Sequence, residues 1–342
     1  MAHSFIFQNL IDEYKSLKVF KNHIRHKFKV GVSVPKGLVS MIDGSIHHGG
    51  LSDRLCGIVS SYIYCVRHNL PFHLYYVYPY KLEAFLEPNL YDWRINENQI
   101  SYSLLKSRSL FVSLHRHNYK KQIIYTDFRI KGAKYFQTHI YSNMYYFENG
   151  EQFGEYFRRL FKPTRILEEA IAENIKSIGS EYIAVTFRFQ QLMGDFKETG
   201  FLTLESEAER EKLLKRCLLC VEYIHSIDCR KLLVTSDSRT FLDIVQNKYE
   251  YVYTIPGDLV HMDFVDKQEK IDLHTHLKSF VDLYVLANAN VIYLANIKPL
   301  YKSSFPMIAS WIYNKPRYII EENNKCSYTI KNLDSNLLVD NK

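Results

Sequence analysis

The chain has 342 residues, more than the roughly 250 to 300 at which a single core usually splits, so two domains are expected. With 46% hydrophobic and 24% charged residues, it has the composition of an ordinary soluble globular protein that buries a full core. The net charge of +7 is modest, and no RNP, KH or zinc-finger pattern accompanies it, so no nucleic-acid partner is expected.

The first residues, MAHSFIFQNLIDEYKSLKVF, meet charge early and lack the apolar core and small-residue cleavage site of a signal peptide. Positive charge then concentrates in KSLKVFKNHIRHKFK, Lys15 to Lys29, with Leu17, Val19, Phe20, Ile24 and Phe28 interleaved. This pattern fits a solvated helix face, an anionic membrane surface or a lipid-diphosphate acceptor. The most apolar later run, VDLYVLANANVIYLAN, is interrupted by Asp282, Asn288 and Asn290 and is shorter than the roughly 20 apolar residues a bilayer requires. The expected location is therefore cytoplasmic, with room for peripheral attachment on the inner face of the membrane.

Hydrophobic periodicity in the first half predicts a strand near Leu38 to Ile42, a helix from Ser52 to about His68, and a strand at PFHLYYV. Strand-like runs follow at SRSLFVSLH, KQIIYTDF and KYFQTHIY. A helical stretch from Glu151 to Gly179 crosses Pro163, a natural break, and the domain boundary is placed there, giving domains 1–163 and 164–342. The second half alternates strand and helix: EYIAVTFRF, a helix to Ile227, KLLVTSD, a helix to Lys248, YVYTIP, a helix to Ala289, VIYLAN, SSFPMIASWIYN and PRYII. Apolar strands alternating with helices imply parallel sheets covered on both faces, hence two α/β domains. The final residues, KNLDSNLLVDNK, read as a frayed end.

The cysteines at 56, 65, 217, 220, 229 and 326 form no metal-ligand framework. Cys217 and Cys220 lie inside a helical run with no second pair, which points to core packing rather than zinc or redox chemistry. His115 and His117 share a strand face without a third ligand, and His274 and His276 read as structural.

In an open α/β sheet, ligands bind beyond the carboxyl ends of the strands. After the first strand stands HHGGLSDRLCGI, whose Gly49 and Gly50 let backbone pass close to a ligand ahead of a helix N-terminus, or simply make a tight turn. Arg54 falls where neither a dinucleotide fingerprint nor a P-loop would have it. Arg188 closes an otherwise apolar strand, where a guanidinium can fork onto a diphosphate or pair with a carboxylate. Thr235, Ser236 and Asp237 follow the next strand. Ser303 and Ser304 precede a helix, as caps or as anion ligands.

GGLSDRLCGI, VTFRF followed by GDF, LLVTSDS, VDLYVLANANVIYLAN and KSSFPMIASWI occur in the same order as the motifs of the fucosyltransferase superfamily, which the chain resembles from about Leu38 to Trp311. That group includes bacterial nodulation and N-glycan core fucosyltransferases and galactoside 2-fucosyltransferases. The resemblance implies the GT-B architecture, two Rossmann-like domains facing across a cleft, with an acceptor-side first domain and a nucleotide-sugar-binding second. It implies inverting transfer from a GDP-sugar, without cofactor or metal, to a glycan or lipid-linked glycan in surface polysaccharide synthesis such as capsule. The chain contains no D-x-D motif, the pattern that holds the divalent cation in the alternative glycosyltransferase architecture.

Carried over by residue, Arg188 contacts the donor diphosphate, Asp282 holds the guanine or orders its pocket, and Ser303 and Ser304 surround the phosphates. Ser236 and Asp237 line the same cleft, and Gly49, Gly50 and Leu51 form a loop closing over the donor, with His47 and His48 at its mouth and Ser52 capping the helix. Gly50, Arg188 and Ser303 are then expected to converge on one diphosphate. Where the family has H-x-R-R, this chain has Thr186-Phe187-Arg188-Phe189. Candidates for the base that takes the acceptor proton are Asp195, Glu198, Asp53, His47 and His48, with Asp195 favoured for its place just beyond the Arg188 strand. The competing readings are a GT-B transferase using another nucleotide sugar or a pyruvyl donor, and a binding protein that has lost catalysis.

Overall fold

The computed structural model describes residues 2–26, 29–112, 136–145, 150–195, 202–258, 273–323 and 327–332, with the side chains of 2–13, 150–151 and 273 excepted. Two compact units result. The first comprises Met1–Glu148 with Glu155–Lys162, and the second Asn149–Gly154 with Pro163–Lys342.

The first unit opens with α1 (Ala2–Arg25), followed by β1 (Gly37–Ile42), α2 (Leu51–Arg67), β2 (Phe72–Tyr76), the short β3 (Leu86–Pro88), β4 (Ser107–Val112) and β5 (Gln137–Ser142). The predicted strand at KQIIYTDF lies outside the described residues, as do His115, His117 and Glu198. The four longer strands form a parallel sheet in the order β2-β1-β5-β4. Helix α2 packs so closely on this sheet that a Cβ at Gly57 would stand 1.9 Å from the Ser142 carbonyl oxygen, so only glycine fits there. On the other side, α1 packs along β4, with Val19 joining Val39, Met41, Ile100 and Tyr141 in one buried cluster.

The helical stretch crossing Pro163 is broken there, as expected, into two helices. α3 (Gly150–Leu160) and α4 (Arg165–Ile178) are separated by β6 (Phe161–Pro163), which pairs with β3. Proline ends the strand and forces extended backbone on the residue before it, so the helix cannot run through.

The second unit contains β7 (Tyr182–Phe187), α5 (Glu207–Ile227), β8 (Lys231–Ser236), α6 (Arg239–Lys248), β9 (Val252–Tyr253), α7 (Leu273–Asn288), β10 (Val291–Asn296), α8 (Phe305–Ile312), β11 (Arg317–Glu322) and β12 (Tyr328–Asn332). Its sheet runs β12-β11-β10-β7-β8-β9, parallel except for β12. That antiparallel edge strand takes in Lys331 and Asn332, which the sequence reading had assigned to a frayed end. The central strands are fully buried, Ile183, Val185 and Phe187 packing against Leu232, Val234 and Phe241. Cys217 and Cys220 are buried in the same core, where loss of hydration raises both thiol pKa values, as their helical spacing implied.

Candidate functional site

In the first unit, the segment joining β1 to α2 is held from several sides. Gly49 has φ +79°, the left-handed region that favours glycine. Gly50 is the N-cap of α2 in extended backbone, and a Cβ there would meet nothing within 4 Å. Leu51 is the first helical residue, and Ser52 lies inside the helix. This corrects the expectation that Ser52 caps it: with the chain turned by the positive φ at Gly49, the N-cap is Gly50, two residues earlier.

Arg54, one turn into α2, is completely buried. Its Nε donates to the Gly49 carbonyl at 2.9 Å, and Nη1 donates to the Tyr76 hydroxyl at 3.0 Å and the Tyr78 carbonyl at 2.6 Å. The guanidinium lies 5.6 and 5.8 Å from the centres of the Tyr76 and Tyr78 rings. It therefore ties the glycine loop to the end of β2, a role the sequence reading missed.

Asp43, at the end of β1, holds the other side of the loop. It accepts from the Ser45 amide at 2.9 Å and the Tyr141 hydroxyl at 2.8 Å. Burial alone would raise its pKa, but hydrogen bonds involving His48 and Ser45 outweigh that and lower it to about 2. His48 is buried, accepts the Gly44 amide at 3.1 Å through Nε2 and stacks on Tyr141, while His47 is exposed. His48 is therefore a structural member of the loop and does not stand at an open mouth.

In the second unit, the residues singled out beyond the strand ends do gather at the carboxyl edge of the sheet. Arg188, directly after β7, places Nη1 3.0 Å from Oδ2 of Asp237, the residue after β8. The same Asp237 carboxylate accepts the backbone amides of Phe189 and Gln190, each at 2.7 Å. Burial pushes the Asp237 pKa upward, against the Arg188 charge and the two amides. The carboxylate ion pair that the sequence allowed for Arg188 is thus present, and the arginine side chain is 22% exposed beside it.

The chain leaving β10 returns to the same place. The Tyr301 amide donates to the Arg188 carbonyl at 2.9 Å, two residues before Ser303. Ser303 Oγ accepts the Phe305 amide at 3.1 Å, whereas Ser304, the N-cap of α8, makes no side-chain capping bond. Arg188 and Asp237 are thereby joined by their ion pair, and the segment leading to Ser303 and Ser304 is brought to the same edge by the Tyr301 to Arg188 backbone bond.

A second chain of contacts runs from Asp195 along the start of α6. Asp195 Oδ2 accepts from the Ser238 hydroxyl at 2.8 Å and the Thr240 amide at 2.9 Å, and Ser238 Oγ caps α6 by accepting the Phe241 amide. Ser236 Oγ accepts the Ser238 amide at 3.1 Å. Asp195 is thus committed to a helix N-terminus, where a carboxylate is favoured, an engagement its candidacy as base had not included. From the same turn, Arg239 Nη1 donates to the Gly257 carbonyl at 3.1 Å, and Gly257 adjoins Lys278.

Asp282 is held by Lys278, whose Nζ lies 2.8 Å from both carboxylate oxygens. Burial raises the Asp282 pKa and the Lys278 charge opposes it. The sequence reading missed Lys278, although its i, i+4 spacing on α7 was visible. Among the described residues, no three His, Cys, Asp or Glu side chains come together as a metal-ligand group.

No protein-family model matches the chain. No curated protein matches it either. Solved structures do. The NodZ alpha-1,6-fucosyltransferase soaked with GDP-fucose superposes with a TM-score of 0.57 at 14% identity, covering 87% of this chain and 99% of that one. The fucosyltransferase NodZ from Bradyrhizobium gives 0.56 at 16% identity over the same shares. A mutant of Arabidopsis thaliana FUT1 in complex with GDP gives 0.55 at 12% identity, covering 91% and 76%. At these identities the likeness is one of fold. The chain is an α/β protein with the GT-B type of fold found in these fucosyltransferases.

Proposed function

We propose that the chain is an inverting glycosyltransferase that takes its sugar, fucose, from GDP-fucose held by the second unit, without a metal ion. The observation that carries this reading is the meeting of Arg188, Asp237 and the Ser303-Ser304 turn at the carboxyl edge of the sheet, fixed by the Tyr301 to Arg188 backbone bond. It is supported by the fold shared with structures that contain GDP or GDP-fucose.

In the proposed reaction, an acceptor hydroxyl oxygen forms a bond to the anomeric carbon from the face opposite the diphosphate. The bond from that carbon to the diphosphate oxygen breaks, GDP leaves with the electron pair, and the hydroxyl proton passes to a base. The growing negative charge falls on the leaving diphosphate, so the rate depends on fixed positive charge there. Arg188 supplies that charge, Asp237 and the amides it binds set the arginine's position, and the Ser303-Ser304 turn presents its hydroxyls, since the Phe305 amide is taken by Ser303 Oγ and Pro306 has none. Ser236 lines the same edge, and Asp195 positions the first turn of α6. Asp282 with Lys278 orders the pocket for the guanine, and Gly49, Gly50 and Leu51 are assigned to the donor on the resemblance alone. The acceptor, a glycan hydroxyl in bacterial surface polysaccharide synthesis, rests on the resemblance alone too.

A second reading, donor binding without turnover, is favoured by the Thr186-Phe187-Arg188-Phe189 run in place of H-x-R-R. Thermal shift with GDP, UDP, CDP and ADP on the wild type and Arg188→Ala, followed by donor hydrolysis, tests both. GDP is expected to raise the wild-type Tm more than the other nucleotides and to leave the variant unmoved. Equal response to all four, or a GDP shift in neither protein, would refute the assignment. GDP binding with no release of fucose would select the second reading.

A further inference from the structure

Helix α1 has an inward and an outward face. Inward, Val19 and His23 are buried against the first unit's sheet, and Lys15 lies over the Phe111 ring of β4 at 5.3 Å. Outward, Leu17, Phe20 and Ile24 are 67%, 47% and 37% exposed. At 100° per residue, these three fall within about 60° of one another, roughly opposite Val19. Lys18, Lys21 and Arg25 are exposed as well and form the adjoining strip of the same outward surface. Tyr14 to His26 contains no acidic residue.

An apolar strip bordered by a wholly cationic one, lying flat on a folded unit, is complementary to one kind of surface. The apolar side chains enter the acyl boundary while the cations remain at the level of anionic headgroups. Among the described residues, no helix is long and apolar enough to cross a bilayer, so α1 would lie in the interface plane. We propose that the first unit docks on an anionic phospholipid bilayer through the outward face of α1, with Leu17, Phe20 and Ile24 inserted and Lys18, Lys21 and Arg25 on the headgroups. The proposal is independent of the reaction assigned above.

The test is sedimentation of the full chain with vesicles of phosphatidylcholine, with or without about a third phosphatidylglycerol. Binding is expected to the anionic vesicles, at least tenfold weaker to the neutral ones, and weakened by salt. Each basic side chain near such a surface contributes about a factor of five, so Lys18→Gln/Lys21→Gln/Arg25→Gln should lose on the order of 100-fold. Leu17→Ser/Phe20→Ser/Ile24→Ser should lose at least tenfold with the charge kept. Equal binding to both vesicle types, or no binding to either, overturns the proposal, and the salt titration decides this on wild type alone. A self-associated wild type that the serine variant turns into a monomer also overturns it, since a second copy would then cover the strip.

Discussion

Two arginines, one in each unit, stand beside the carboxyl ends of parallel strands, yet they have opposite employment. Arg54 is completely buried and donates to the Gly49 carbonyl, the Tyr76 hydroxyl and the Tyr78 carbonyl, groups of its own unit. Arg188 pairs with Asp237 and keeps 22% of its side chain exposed at the sheet edge. A guanidinium sealed in protein holds a loop in shape, whereas one positioned by a buried carboxylate but open on one side can meet a charge that arrives from outside. The lesson is that position beyond a strand marks where a ligand could bind, and burial decides which residue is left to bind it.

Exchanging the two losses is the strongest way to break this comparison. Arg54→Met removes the bonds to Gly49, Tyr76 and Tyr78 and leaves the buried Gly49 and half-buried Tyr78 carbonyls without them, so a stability loss of about 3 to 5 kcal/mol is expected in denaturant unfolding. Arg188→Lys keeps a cation beside the buried Asp237 carboxylate, which also holds the Phe189 and Gln190 amides, and should unfold much closer to wild type. Its transfer rate should fall about 10² to 10³-fold, as for removal of a donor to developing charge. If the Arg54 variant is as stable as wild type, or the Arg188 variant is as active, the division of labour drawn here is wrong.

The units should also part company in acid. His23 of α1 is buried against Ser107, to which its Nε2 lies 3.2 Å, with the His139 and Tyr102 rings beside it. Burial first, and the nearby His26 charge second, lower its pKa from 6.5 to about 4. Burial with the neighbouring histidines lowers that of His139 to about 3. A histidine whose folded pKa is depressed favours the unfolded chain once that chain is protonated. The His23 contribution is therefore intact above pH 6.5 and lost as the pH falls toward 4, amounting to about 3 kcal/mol. The pH dependence of unfolding should show this slope, and His23→Gln should flatten it. An unchanged slope in the variant would remove His23 as its source.

The same contrast shows what could be read in the sequence. Alternating apolar strands and helices revealed both parallel sheets, because buried strands and amphipathic helices have different periods written into consecutive residues. Arg188, Ser236 and Asp237 were legible because they follow such strands directly. Arg54 was not, because Tyr76 and Tyr78 meet it from 22 and 24 residues away and nothing local announces that contact. The pairing of Arg188 with Asp237, 49 positions on, depends likewise on β7 lying next to β8. β12 was missed for a different reason. As an edge strand with exposed Thr329 to Asn332, it has too little apolar pattern to stand out from a polar tail.

The finest division falls between two serines at helix starts in the second unit. Ser238 Oγ accepts the Phe241 amide and donates to Asp195, so it is occupied on both sides by the protein. Ser238→Ala should cost about 1 kcal/mol of stability, the usual loss of a helix cap, with little change in donor KM. Ser303 Oγ accepts the Phe305 amide, and in the proposed reaction its hydroxyl hydrogen is directed to the donor phosphates. Ser303→Ala should therefore cost less stability than Ser238→Ala yet raise the KM for GDP-fucose several-fold, about the 1 kcal/mol of one hydrogen bond. Thermal unfolding and initial-rate kinetics on the two variants read these effects separately. Should Ser303→Ala leave KM unchanged while losing a full cap's worth of stability, the Ser303-Ser304 turn is a helix start and nothing more, and the diphosphate must be held by Arg188 without it.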